Sequence, residues 1–164
     1  MIDFSEPELN RYLRYCLSLT GNREDAFDLL QSSIEKMLKI DQTGIRDPKS
    51  YFLRVIRNYF FDDLRKKSGQ PLLEVFESHH GSFVGEQEDF SDLFLLKDQL
   101  ATALDQLSPA ERELIHLTII EGFTVDEVSK LTGVSRGTIL SKIHRAKIKL
   151  KKFIKRRNIA GRRG

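Results

Sequence analysis

Residues 124–150 read TVDEVSKLTGVSRGTILSKIHRAKIKL, and the spacing inside this stretch decides the architecture of the C-terminal half. Thr124 and Glu127 form a capping box. The threonine oxygen accepts from an orphan N–H of the first turn, and the glutamate reaches back to the cap. The helix they open is short and ends near Leu131. Gly133, four residues after the small Ser129, supplies the left-handed backbone of a tight turn. Ser135 caps a second helix, whose buried stripe is Ile139, Ile143, Ala146, Leu150 and Phe153. Arg136, Thr138, Ser141, Lys142 and Arg145 are expected away from that stripe. Two helices so spaced form a helix–turn–helix, and such a second helix fits the major groove of DNA, about 12 Å wide. The basic run KIKLKKFIKRR at 147–157 would track phosphates.

Working outward, the helical pattern continues in both directions. Leu93, Leu96, Leu100, Leu104 and Leu107 make one stripe, and Ser108-Pro109-Ala110-Glu111 is a capping box with proline at the first helical position. That helix carries Leu114, Leu117 and Ile120 to a stop at Gly122. In the N-terminal part, Ser5 and Glu8 read as a further capping box, before a stripe of Leu9, Tyr12, Leu13, Cys16 and Leu17 that stops at Gly21. Asn22 caps the next helix, with stripe Ala26, Leu29, Leu30, Ile34, Met37 and Leu38. A polar loop at 39–46 follows. Asp47-Pro48 then opens a third helix through SYFLRVIRNYFFDDLRKK. No stretch reads as a strand.

Charge divides the chain. Residues 1–68 hold 12 basic and 11 acidic side chains; residues 69–92 hold 6 acidic and no basic ones; residues 93–164 hold 15 basic and 7 acidic. From Arg136 onward there are 12 basic residues and no acidic one. The expected fold class is therefore all-α: two small helical domains joined by a flexible acidic linker, the C-terminal one a four-helix domain containing the helix–turn–helix. The expected bounds are 1–68, a linker at 69–92, 93–158, and a basic tail at 159–164. The linker holds His79-His80, read as solvated loop, and its charge would attract it to the basic C-terminal block at low salt.

One cysteine, Cys16, excludes an internal disulfide framework, and no apolar run approaches the ~18–20 residues of a membrane span. The polar N-terminus, MIDFSEPELN, does not read as a signal peptide, so a cytoplasmic protein without membrane insertion is expected. No phosphate-binding glycine loop, zinc motif or catalytic triad is present. No cofactor or metal is expected, and the chain does not read as an enzyme.

LDQLSPAERELIHL, EGF, DEVSKLTGVS and GTILSKIHRAK together resemble the promoter −35-binding domain of bacterial RNA polymerase sigma factors of the extracytoplasmic-function (ECF) class. GNREDAFDLLQSSIEKML resembles the acidic polymerase-binding helix of that family, and YFLRVIRNYFFDDLRK matches its −10 helix at Arg57, Asn58, Asp62, Leu64 and Arg65. The resemblance implies a transcription initiation factor. Its partners would be promoter DNA and core RNA polymerase, through the coiled coil of the largest subunit and the flap. An anti-sigma factor or a kinase would control it.

Residue by residue, the resemblance places Asp25, Asp28, Gln31, Ser32 and Glu35 on the polymerase-binding face. Lys39, Asp41, Gln42 and Thr43, in the loop that captures a flipped base, would face the −10 element with Arg54, Arg57, Asn58 and Arg65. Tyr51, Tyr59, Phe60 and Phe61 would stack on melting DNA, and Lys66 and Lys67 would hold phosphates. Arg136, Thr138, Leu140, Ser141, Lys142, His144, Arg145 and Lys147 would face the −35 element. The sequence departs from the pattern at Phe27 (usually Glu), Ser32 (usually acidic), Tyr51 (usually Trp) and Leu140 (often Lys or Arg). The lost carboxylates weaken the expected charge of the polymerase face. Ser32 and Ser33 are therefore candidate phosphorylation sites, since a phosphate restores about −1.5 to −2 of charge. The rival reading is a stand-alone helix–turn–helix regulator binding duplex DNA as a dimer. It leaves the N-terminal resemblance without a role.

Overall fold

The computed structural model describes residues 2–69 and 103–162, with side chains to 157. The chain divides into two compact units, Met1–Ser78 and His79–Gly164. Most of the expected linker, and the leucine stripe before Ala103, lie outside the described residues.

The first unit contains α1 (Glu6–Thr20), α2 (Arg23–Leu38) and α3 (Pro48–Ser68). Gly21, at φ 81°, ends α1 by returning its N–H to the Leu17 carbonyl, which allows α2 to start two residues later. Asn22 caps α2 by accepting from the Asp25 N–H at 2.9 Å. Asp47 caps α3 from the Ser50 N–H at 3.3 Å, with Pro48 in the first turn. The Ser5–Glu8 capping box does not form. Ser5 turns back to Asp3, while the Glu8 carboxylate is drawn to Lys49 of α3 at 3.0 Å, so a tertiary ion pair displaces the local cap.

The buried face of α1 is Tyr12, Tyr15, Cys16 and Leu19, not the stripe through Leu9, Leu13 and Leu17, which stay half-buried. Aromatic area decides this rotation. Tyr12 meets Phe52 of α3 edge-on at 4.7 Å, and Phe4 meets the same ring at 5.5 Å. Burial pushes the Cys16 thiol and the Tyr12 phenol each up to about 12. On α2 the core face is Ala26, Leu29, Leu30, Ser33 and Met37. Ser33 thus takes the place expected for Ile34, and Leu38 is 62% exposed.

In the second unit a 3₁₀ turn (Leu104–Gln106) leads to α4 (Pro109–Ile115), whose Ser108–Glu111 capping box is complete. A π-helical turn, His116–Ile120, continues α4 and closes with the Glu121 N–H on the His116 carbonyl at 2.9 Å. Thr124 and Glu127 cap α5 (Val125–Thr132) reciprocally, at 3.1 and 3.2 Å. Gly133, at φ 76°, makes the turn into α6 (Arg136–Arg162), which runs on into the basic tail. Val128, Leu131, Ile139, Ile143, Ala146, Leu150 and Ile154 of α5 and α6 join Leu114, Ile115 and Leu117 in the core. Among the described residues there is no strand.

Candidate nucleic-acid and polymerase interfaces

The turn between α5 and α6 is tied by side chains as well as by glycine. The Ser129 hydroxyl donates to the Val134 carbonyl at 2.6 Å, and the Val134 N–H donates to Thr132 Oγ1 at 3.2 Å. Ser129 is therefore a latch as well as a small residue. Ser135 accepts from the Thr138 N–H at 3.3 Å, which completes the cap of α6. Arg136 bridges from the start of α6 to Asp126 of α5.

Along α6 the candidate −35 residues divide. Arg136 is exposed; Thr138, Leu140, His144, Arg145 and Lys147 are half-buried. Ser141 and Lys142 are not on an exposed face: they are only 8% and 4% exposed. Ser141 is short and folds back to the Thr138 carbonyl at 3.1 Å. Lys142 sits one helical step from both Ile139 and Ala146, at the edge of the apolar stripe, where its long stem packs. Further on, Lys151, Lys152, Lys155, Arg156 and Arg157 are exposed. Lys149 instead turns to Glu111 of α4 at 2.8 Å. Burial alone would raise the Glu111 carboxyl, but hydrogen bonds from Lys149 and from the N–H and hydroxyl of Ser108 outweigh it and hold the pKa below its ordinary value.

In the first unit, α2 presents Glu24, Asp25, Asp28, Gln31 and Glu35 to solvent, with Ser32 half-buried beside them. Asp25 also receives the Asn22 amide at 2.8 Å. Ser33 belongs to the core: it is 0% exposed and its hydroxyl has no hydrogen-bond partner. A phosphate there would have to enter the helix packing, so Ser33, unlike Ser32, is not accessible for modification in this fold.

The 39–46 loop is more constrained than its composition suggests. Asp41 accepts from the Thr43 hydroxyl at 2.7 Å and the Thr43 N–H at 3.0 Å, and these bonds lower its pKa. Gln42 is committed at both ends of its amide. It donates to the Met37 carbonyl at 3.2 Å and accepts from the Ile2 N–H at 3.1 Å, pinning the N-terminal segment to the loop. It is thus a brace and not a base reader in this state. Lys39 and Arg46 remain exposed, and Leu38 projects at the loop's edge. Periodicity along α2 predicts a core position for Leu38, which the structure leaves exposed.

On α3, Arg54, Asn58 and Arg65 are exposed and share a face with half-buried Tyr51. Arg57 does not join them: it is 4% exposed, with its guanidinium 4.7 Å from the Phe61 ring centroid. Phe61 itself is 1% exposed, so both are core residues; Tyr59 is 39% exposed and Phe60 half-buried. Lys66 and Lys67 are exposed, and Lys67 pairs with Asp63 at 3.0 Å. Among the described residues no cluster of His, Cys, Asp and Glu is placed to hold a metal ion, and no helix is long and apolar enough to cross a membrane.

Family models match both units: "Sigma-70 region 2" over residues 5–70 and "Sigma-70, region 4" over residues 97–150. The chain is 29% identical to RNA polymerase sigma factor SigV of Bacillus subtilis over 140 residues, 82% of this chain and 79% of that protein. It is 30% identical to ECF RNA polymerase sigma factor EcfG of Rhodopseudomonas palustris over 141 residues, 83% of this chain and 75% of that one. To ECF sigma factor SigE of Mycolicibacterium smegmatis it is 27% identical, over 88% of this chain but only 58% of SigE. In fold it is similar to the sigma factor RpoE of Bartonella quintana, solved in complex with the anti-sigma factor NepR. The TM-score is 0.61, with 24% identity over 91% of this chain and 92% of that one. An acid-faced three-helix unit followed by a helix–turn–helix, each matching its own family region in order, makes the chain a member of the sigma-70 family of RNA polymerase sigma factors, in the extracytoplasmic-function class.

Proposed function

We propose that this sigma factor binds core RNA polymerase through the outer face of α2, reads and melts the −10 element with the 39–46 loop and α3, and reads the −35 element with α6. The observation that carries this reading is the opposite chemistry of the two outer faces. α2 exposes Glu24, Asp25, Asp28 and Glu35, whereas α6 carries no acidic residue at all. Acidic helices suit a basic protein surface, and a basic helix suits polyanionic DNA.

Burial refines the roles. On α6, Arg136, Thr138, Leu140, His144, Arg145 and Lys147 would approach base edges. Leu140 favours a thymine methyl and offers no bridge to guanine. The exposed residues from Lys151 to Arg157 would take phosphates. On α3 and its loop, Lys39, Thr43, Arg54, Asn58 and Arg65 remain candidates for the −10 strand, with Tyr59 available for stacking on an unpaired base. The similarity to a sigma factor solved with an anti-sigma factor makes such a protein a second candidate partner. A phosphate at half-buried Ser32 would add charge to the α2 face.

Transcription with purified core polymerase on a library of genomic fragments tests the assignment. Discrete start sites that depend on the added chain are expected. No chain-dependent initiation, together with duplex binding by a dimer of the chain alone, would favour the stand-alone regulator instead.

A further inference from the structure

The rotation of α1 that buries Tyr12 and Tyr15 leaves Leu9 and Leu13 half-buried on the side facing α2. With Phe27, Leu30 and Ile34 they line a groove of about 400 Å³, edged by Asn10, Gln31 and Glu35. Phe27 is 50% exposed, the ring standing where the family's polymerase-binding helix usually carries a glutamate, with the Arg23 guanidinium 5.9 Å from its centroid. Contiguous exposed apolar surface, unlike a lone exposed ring, marks contact sites, and here the ring adjoins the apolar side chains of the groove. From Phe27 to Glu35 the groove follows two turns of α2, roughly 12 Å, a length matched by two turns of another helix.

We propose that this groove is a docking slot for a large apolar side chain carried on a basic helix of core RNA polymerase, with Phe27 as its wall. The inference rests on α2 being the polymerase-binding helix and names what fills the space beside it. Charge selects the occupant. Among the described residues the only ionic group lining the groove is Glu35; Glu24 and Asp28 stand exposed on the adjoining face of α2, and Arg23 is the cation beside Phe27. The chain's own 69–92 segment, with six acidic and no basic residues, would be repelled there. A second copy would bring the same carboxylates to the same place. A basic amphipathic helix satisfies both the apolar floor and the acidic rim. The carboxylates missing at Phe27 and Ser32 are then replaced by apolar burial, which salt screens little.

The test is a titration of labelled full-length chain with core polymerase at about 0.1 and 0.4 M salt. Phe27→Ala is expected to weaken binding about tenfold or more at both salts, as for an interface anchor. Phe27→Glu, which supplies the charge usual in the family, is expected to weaken it as well. Asp28→Ala is expected to weaken it mainly at low salt. Phe27→Ala binding as tightly as the native chain, or Phe27→Glu binding more tightly, overturns the slot. If Asp28→Ala and Gln31→Ala weaken binding while Phe27→Ala does not, the slot fails and the α2 assignment stands. If none of them matters, both fail. If Phe27→Ala only breaks up self-association of the native chain, the occupant is a second copy and the proposal is wrong. Thermal melts of each variant, expected to be native-like because position 27 is half exposed, separate binding from folding.

Discussion

Glu111 joins α4 to α6 within the C-terminal unit, and its two tasks are separable. Its Oε1 accepts the Ser108 N–H at 3.2 Å, closing the capping box of α4, and the Lys149 ammonium of α6 at 2.8 Å. Glu111→Gln keeps an acceptor for the cap, since glutamine serves in such boxes, and removes only the charge. Lys149 is 45% exposed and rehydrates when its partner is neutral, so the pair is worth no more than about 1 kcal/mol after solvent screening. Glu111→Ala loses the back-bond of the cap as well, worth about 1 kcal/mol, and the packing of a residue only 3% exposed. It should cost about 2–3 kcal/mol.

The chain provides its own assay for this. All four tyrosines lie in the N-terminal unit and there is no tryptophan, so tyrosine fluorescence reports that unit alone, while far-UV circular dichroism reports both. The Glu111 variants should lower the dichroism transition of the second unit and leave the tyrosine transition unmoved. The sign with pH follows from a folded pKa below the ordinary 4.5. The stabilisation is complete above that ordinary value and is lost as pH falls through the lower folded value, so the gap between native chain and Glu111→Gln should close in acid. A gap that is constant down to acid pH, or a shift in the tyrosine transition, would rule out this role for the Glu111 carboxylate.

Three further outcomes are expected. Ser33→Ala should be neutral to stabilising by about 1 kcal/mol in the tyrosine-monitored melt, because it removes a buried hydroxyl without a partner, while Ser32→Glu should fold normally and bind core polymerase more tightly. Arg57→Ala should destabilise the N-terminal unit by about 1–3 kcal/mol through lost packing on Phe61, whereas exposed Arg54→Ala should leave the melt within about 0.5 kcal/mol and weaken promoter binding. Arg145→Ala should cost about 1–3 kcal/mol on the cognate −35 sequence and relax specificity there; Lys151→Ala should weaken all sequences alike and lower the salt slope by about 1, both read by DNA titration across salt.

What was legible in the sequence were features set by neighbours along the chain. Five caps, at Asn22, Asp47, Ser108, Thr124 and Ser135, stand where their residue types predict, and so do the left-handed glycines Gly21 and Gly133. Each depends on bonds spanning three to five residues, which sequence spacing encodes directly. The features that were not legible depend on partners far along the chain. Lys49 takes Glu8 from its cap across 41 residues, and Ile2 ties down Gln42 of the 39–46 loop across 40. Tyr12 and Phe52 rotate α1 by an aromatic contact that no one-helix periodicity contains.

The same logic explains why polar candidates fell on the wrong side of their helices. Reading a helix by its apolar residues assumes that polar ones point outward, yet Arg57, Lys142 and Ser33 are all buried. Each stands where a stripe needs filling: Arg57 lays its guanidinium over the Phe61 ring, Lys142 flanks Ile139 and Ala146, and Ser33 fits between Leu29 and Met37 on the core face of α2. A family motif match at Arg57 therefore does not by itself assign a DNA contact; an arginine kept in such a motif can serve the packing that orients the exposed ones. The face of α3 formed by Tyr51, Arg54, Asn58 and Arg65 is presented because Phe52, Leu53 and Ile56 hold the opposite side in the core, with Arg57 and Phe61 buried along its edge. Replacing Arg57 should then disturb promoter opening only as far as it loosens that core. Arg57→Met, which keeps most of the stem without the charge, should recover more promoter output than Arg57→Ala, and a full loss of output with a native melt would instead make Arg57 a DNA contact.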